Sequence, residues 1–224
     1  MAVGETSRVP MNIDLLFAII FYGILILFFY KHKENVKLQG KIIALYRTTW
    51  GLKLMDRIAK TCPRLLRVIG TLGTLSGFVG MAFIFYWLVK GTLELLLVPE
   101  ALPAVAPVLP GIKVIPGLPV LSFWHWIIAI FCVAAVHEFS HGIFARLYNT
   151  KVKSSGIALF GPILGAFVEP DEIELAKKKR SVQLAVFAAG PFSNMVLGAL
   201  FLLIMNVLTG PVYAAMYEGD GIIV

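Results

Sequence analysis

Residues 134–148 read AAVHEFSHGIFARLY, and His137, Glu138 and His141 within them have the types and spacing to do chemistry. On a helix, positions i and i+4 share a face, so His137 and His141 project together. Neutral imidazoles are good zinc ligands, and Glu138 stands one residue along, within reach of a water at such a metal. A zinc ion held this way lowers the pKa of water and polarises a carbonyl, while the glutamate takes the proton. That is the arrangement of a metalloprotease with one zinc ion as cofactor. In a chain of this composition a chance H-E-x-x-H is expected roughly 0.3% of the time. The rival account, two satisfied histidines near a helix end, leaves Glu138 unpaired in apolar surroundings. An ionisable residue inside a membrane helix is costly enough to imply a function.

The elements that must position these residues are membrane elements. Of 224 residues, 58% are hydrophobic and 15% charged, with mean hydropathy +0.84. Soluble domains run nearer half apolar and a quarter charged. The net charge of +7 does not point to nucleic acid, because the basic residues sit between apolar runs rather than over a soluble face. Four runs are long enough to cross a bilayer: 13–30, a stretch within 65–98, 123–148 and 182–208. The first ends in Lys31-His32-Lys33 with no small-residue cleavage site after it, so it reads as a transmembrane helix rather than a signal peptide. The second is longer than one span needs, and carries Gly70, Gly73, Gly77 and Gly80 as a small-residue stripe for close helix approach. Cys62 and Cys132 form neither a disulfide framework nor a C-x-x-C pair.

Charge alternates between the connecting segments. Residues 31–64 hold nine Lys/Arg and residues 149–181 hold Lys151, Lys153 and the cluster 177–180, whereas the N-terminus and 99–122 each hold one. The positive-inside rule then places the N-terminus and 99–122 outside, and 31–64 and 149–181 in the cytoplasm. His137 lies about 21 Å along a helix that begins near Phe123, so a metal there sits within the bilayer, nearer the cytoplasmic side.

Of the segments between, 99–119 holds six prolines and reads as an extended external linker. Residues 31–64 read as a solvated, lipid-touching loop, of which 42–60 could lie along the inner membrane surface. Residues 154–172, SSGIALFGPILGAFVEPDE, are apolar but broken by Gly156, Gly161, Pro162 and Gly165, which fits two short strands around a Gly-Pro turn. A hairpin with an open edge could accept an extended peptide as an added strand. The expected fold is therefore an all-α multi-pass membrane protein of about four transmembrane helices. A small membrane-dipping β-hairpin follows the H-E-x-x-H helix. Its parts are an N-terminal membrane region, 1–122, a protease core, 123–208, and the start of an external domain, 209–224.

VHEFSHGIFAR (136–146), FGPILGAFVEPDE (160–172) and AAGPFSNMVLGALF (188–201) together resemble the site-2 proteases, intramembrane zinc metalloproteases, and most closely their archaeal PDZ-containing members. The resemblance implies that His137 and His141 bind zinc and that Glu138 is the general base. It implies that Gly161, Pro162, Ile163, Leu164, Gly165, Ala166 and Phe167, with Val168, guide an extended substrate strand, and that Asn194 lies near the active site. It further implies transmembrane protein substrates, regulated intramembrane proteolysis, the lipid bilayer as surroundings, and the cell membrane of a prokaryote, archaeal by the closest likeness. In one respect the chain departs. Family members carry a third metal ligand, an aspartate in a downstream N-x-x-P-x-x-x-x-D-G segment, and this sequence has none. His125 is too far along the same helix, Glu169, Asp171 and Glu172 read as solvated cytoplasmic charges, and Asp220 falls outside. The sequence thus looks like the N-terminal portion of a longer protease, expected to be inactive alone. Two rivals stay open: a prenyl-protein-processing type of membrane zinc protease, which would need a downstream glutamate and lack the hairpin, and a non-catalytic scaffold or pseudoprotease.

Overall fold

The computed structural model describes residues 11–39, 43–98, 105–112 and 120–216. Among them are four helices long and apolar enough to cross a membrane, spanning Ile13–Lys31, Pro63–Leu97, Phe123–Leu147 and Arg180–Pro211. They belong to α1 (Met11–Lys31), α3 (Pro63–Leu97), α4 (Phe123–Leu147) and α6 (Arg180–Met216). Leu15, Ile19, Ile24, Phe83, Phe85, Leu200 and Leu203 are all exposed on these helices, an apolar surface of the kind that a lipid-facing helix carries. α6 runs through Pro191 and Pro211 to Met216, past the expected end of the fourth span at residue 208. Lys113, most of the Pro-rich linker and residues 217–224, with Asp220, lie outside the described residues.

The glycine stripe on α3 packs as expected for part of its length. A Cβ on Gly70 would meet Phe144 of α4 and Ala185 of α6, and one on Gly73 would meet Phe192. Gly77 just reaches Ala188, and Gly80 faces open space. Phe144, Leu175, Val186 and Ala189 form the buried cluster that joins α4 to α6.

The hairpin is present but is not alone, and this corrects the all-α expectation. β3 (Val152–Phe160) and β4 (Ile163–Pro170) turn through Gly161, at φ +56°, and Pro162. A positive φ at the first central residue suits a two-residue hairpin, and glycine supplies it without strain. β1 (Val36–Gln39) and β2 (Ile43–Thr48) extend the hairpin to a four-stranded antiparallel sheet in the order β1-β2-β3-β4. β2 pairs with β3 from Ile43↔Phe160 to Thr48↔Ser155. The basic segment 31–64 is thus not a solvated loop. It supplies two strands and α2 (Leu52–Thr61), whose fully buried Met55 packs against Gly142 of α4. The pairing also holds the two basic segments at the same end of the helices, as the charge pattern requires.

Charges close the base of the sheet. Glu169 takes Arg47 at 3.3 Å and the Ser154 hydroxyl at 2.7 Å. Asp171 takes Lys153 at 3.1 Å and accepts the Glu174 N–H as N-cap of α5 (Glu172–Ala176). That N–H and the Lys153 ammonium hold the Asp171 carboxyl below the usual carboxylate range. Glu169 and Asp171 are therefore engaged in holding strands and helix together, rather than simply solvated. From this base β4 runs back along α4. Val168 lies by Gly142, Gly165 by Ala134, and Ile163 and Leu164 join the cluster of Phe123, Trp126 and Ile127. Ile127 is about 6 Å from the start of α4, so the turn reaches most of the way along that helix.

Candidate metal centre

Both histidines of the motif sit on the face of α4 that meets α6, with ring centroids 4.8 Å apart. Each ring is held through Nδ1. His141 Nδ1–H donates to the Val186 carbonyl at 2.7 Å. His137 Nδ1 lies 3.0 Å from the Asn194 amide nitrogen, and Asn194 Oδ1 is buried with no partner. Both contacts come from α6, so this helix sets the orientation of the rings that α4 carries. Fixing one imidazole nitrogen determines what the other can do.

The two Nε2 atoms converge on one place, the space beside Gly190. A Cβ there would lie 2.6 Å from His137 Nε2 and closer still to His141 Nε2. Glycine in a helix interior costs about 1 kcal/mol relative to alanine, so its presence inside α6 needs a packing reason. The two imidazoles are that reason. Pro191, next to it, removes the N–H that would have bonded the Phe187 carbonyl. Gly190, Pro191 and Asn194 are therefore well inside α6, not at its entry.

Glu138 turns toward the sheet. Its Oε2 accepts the Val168 N–H at 3.2 Å. β4 is the last strand of the sheet, and backbone groups along a strand point alternately to either side. Since the Val168 N–H points away from β3, those of Ala166 and Leu164 do too, while Ile163, Gly165 and Phe167 face β3. Leu164 and Ala166 thus turn their N–H groups to an outer edge that meets the H-E-x-x-H helix beside Glu138 at Val168 and runs from there toward the start of α4.

The sequence-expected residues His137, Glu138, His141, Asn194 and β4 are brought together. The turn residues Gly161 and Pro162 are not: they lie at the far end of the hairpin, against α1. The Val186 carbonyl carried no local sequence signal, and Gly190 entered only as part of the segment 188–201 that carries the resemblance, without its packing role. Among the described residues, no group of three or more His, Cys, Asp or Glu is placed to hold a metal ion. The donor set present is a pair of imidazole nitrogens, free at Nε2 and aimed at one cradle, which fits two of the three protein ligands of a catalytic zinc.

Comparison with known proteins agrees with this chemistry. Residues 125–220, which include most of α4 and all of β3, β4 and α6, match peptidase family M50. Over 200 residues the chain is 35% identical to an uncharacterized protein of Methanocaldococcus jannaschii, covering 86% of this chain and 49% of that one. The chain therefore spans about half the length of this relative. No solved structure matches it.

Proposed function

We propose that the chain carries the greater part of the active site of an intramembrane zinc metallopeptidase that hydrolyses peptide bonds of transmembrane proteins, in the manner of regulated intramembrane proteolysis. The observation that carries this reading is the convergence of His137 and His141 Nε2 beside Gly190, with Glu138 one residue away. Zinc bound there would act as a Lewis acid, activating water and polarising the scissile carbonyl. His137 and His141 would hold it, and the resemblance puts a third ligand outside the described residues. Val186 fixes the His141 tautomer, and the unpartnered Asn194 Oδ1, turned to His137 Nδ1–H, would fix the other.

Glu138 is the general base. It takes the proton from the attacking water and returns it to the leaving amine. Its hydrogen bond to Val168 supports a reading in which that chemistry takes place beside the strand edge. Backbone groups at membrane depth need partners, and an extended substrate segment paired with Leu164 and Ala166 would supply them. The scissile bond then lies near Val168, alongside Glu138. The protein is accordingly assigned to the cell membrane, with its N-terminus outside and the metal nearer the cytoplasm.

The test is cleavage of a transmembrane reporter whose span includes a helix-breaking segment, by the full-length protein in lipid nanodiscs. Cleavage that stops on zinc chelation and returns on adding zinc is the expected result. Cleavage indifferent to chelation, or none at any zinc concentration, overturns the reading.

A further inference from the structure

α1 is largely exposed, with Ala18, Phe21 and Tyr22 packed against the Phe123 cluster, and it also reaches the rest of the molecule at polar points along its length. Both Asp14 carboxylate oxygens accept the Phe123 N–H, at 3.0 and 2.8 Å. Phe123 opens α4, and Ser122, its N-cap residue, makes no side-chain cap bond. A helix start leaves N–H groups without partners, and a carboxylate there also suits the helix dipole. Asp14 therefore caps the H-E-x-x-H helix from a neighbouring helix. Eight residues on, two turns further along α1, the Tyr22 hydroxyl donates to the Pro162 carbonyl at 2.7 Å, in the turn of the hairpin. The Tyr22 ring itself packs edge-on against Phe123, at 5.6 Å. One helix thus grips the start of α4 with one side chain and the tip of the β3–β4 hairpin with another.

We infer that α1 is a clamp that sets the hairpin against the H-E-x-x-H helix, and that Tyr22 and Asp14 are positioning residues for the peptide-binding edge. The consequence for substrate rests on the peptidase function proposed above; the clamp itself does not. The base of the hairpin is anchored by the Glu169 and Asp171 ion pairs, and near its tip Ile163 and Leu164 pack against Phe123, Trp126 and Ile127, to which Tyr22 adds a directional bond at the turn itself. Nearly all of β4 lies between these two anchors. Loss of the tip anchor leaves the site histidines untouched, since they are held by α6, but frees the strand edge to move relative to Glu138.

Tyr22→Phe keeps the ring and its packing and removes only the bond to Pro162. The measurement is amide hydrogen exchange of the full chain in nanodiscs, with Tyr30→Phe, an exposed tyrosine on the same helix, as control. One lost hydrogen bond should raise exchange across residues 157–166 roughly five-fold in Tyr22→Phe, and not at all in Tyr30→Phe. Asp14→Asn should raise exchange at the start of α4. Where the reporter is cleaved, KM should rise several-fold in Tyr22→Phe with kcat little changed. Unaltered hairpin exchange in Tyr22→Phe overturns the clamp. Faster exchange with an unchanged KM overturns its positioning role. Failure of the full-length wild type to cleave the reporter sinks the peptidase reading, while the exchange comparison still decides whether α1 holds the hairpin.

Discussion

Gly190→Ala should damage zinc binding although it ought to strengthen the helix it sits in. Alanine is favoured over glycine in a helix interior by about 1 kcal/mol. Against this, the added methyl would stand 2.6 Å from His137 Nε2, about 0.8 Å inside an ordinary contact of about 3.4 Å, and tighter still on His141. The rings can escape only by rotating, which breaks the bond of His141 to Val186 and the contact of His137 with Asn194. At about 1 kcal/mol for each hydrogen bond, the pair sets the loss at about 2 kcal/mol, or about thirty-fold in zinc affinity. The assay is competition between purified protein and a fluorescent zinc chelator. Gly198→Ala, in the same helix with nothing near its Cβ position, is the control and should bind zinc as the wild type does. Equal zinc affinity for both alanine variants would refute the convergence of the two imidazoles on this space.

Two further outcomes follow from the sheet. Ala166→Pro removes an N–H that faces the outer edge and costs no ladder bond, so it should lower kcat/KM on the transmembrane reporter about ten-fold while Ala166→Ser stays near wild type; equal rates would reduce the edge to scaffolding. Ile163→Pro is the less informative variant, because Ile163 pairs with Phe160 across the turn and its loss should disrupt the hairpin itself. For orientation, an impermeant thiol reagent should label Lys113→Cys in intact cells and leave Lys53→Cys unlabelled until the cells are opened, and the reverse pattern would invert the topology.

Much of this was legible along the chain because its signals are local. Apolar runs gave the four long helices, i and i+4 spacing put His137 and His141 on one face, and a Gly-Pro between two apolar stretches gave the β3–β4 turn. β1 and β2 were not legible. VKLQ and IALYRT are too short to show a period, and β2 exists because its partner β3 lies more than a hundred residues away. The same non-local pairing turned Glu169 from a surface charge into the partner of Arg47. The role of Gly190 needed α6 laid against α4, since a glycine's lack of a side chain has meaning only beside what would fill the space. Asp14 did carry a signal, a carboxylate in the first apolar run, and its partner became visible only with α4 beside α1.

The central claim, that Glu138 acts as base beside a zinc held by the two histidines, is tested most directly by measuring zinc content and reporter cleavage on the same preparations of full-length wild type, Glu138→Gln and His137→Ala. Glu138→Gln should keep wild-type zinc and lose cleavage by at least about a hundred-fold, the scale on which general-base catalysis contributes. His137→Ala should lose both. Normal turnover by Glu138→Gln, or undiminished zinc in His137→Ala, would contradict the account.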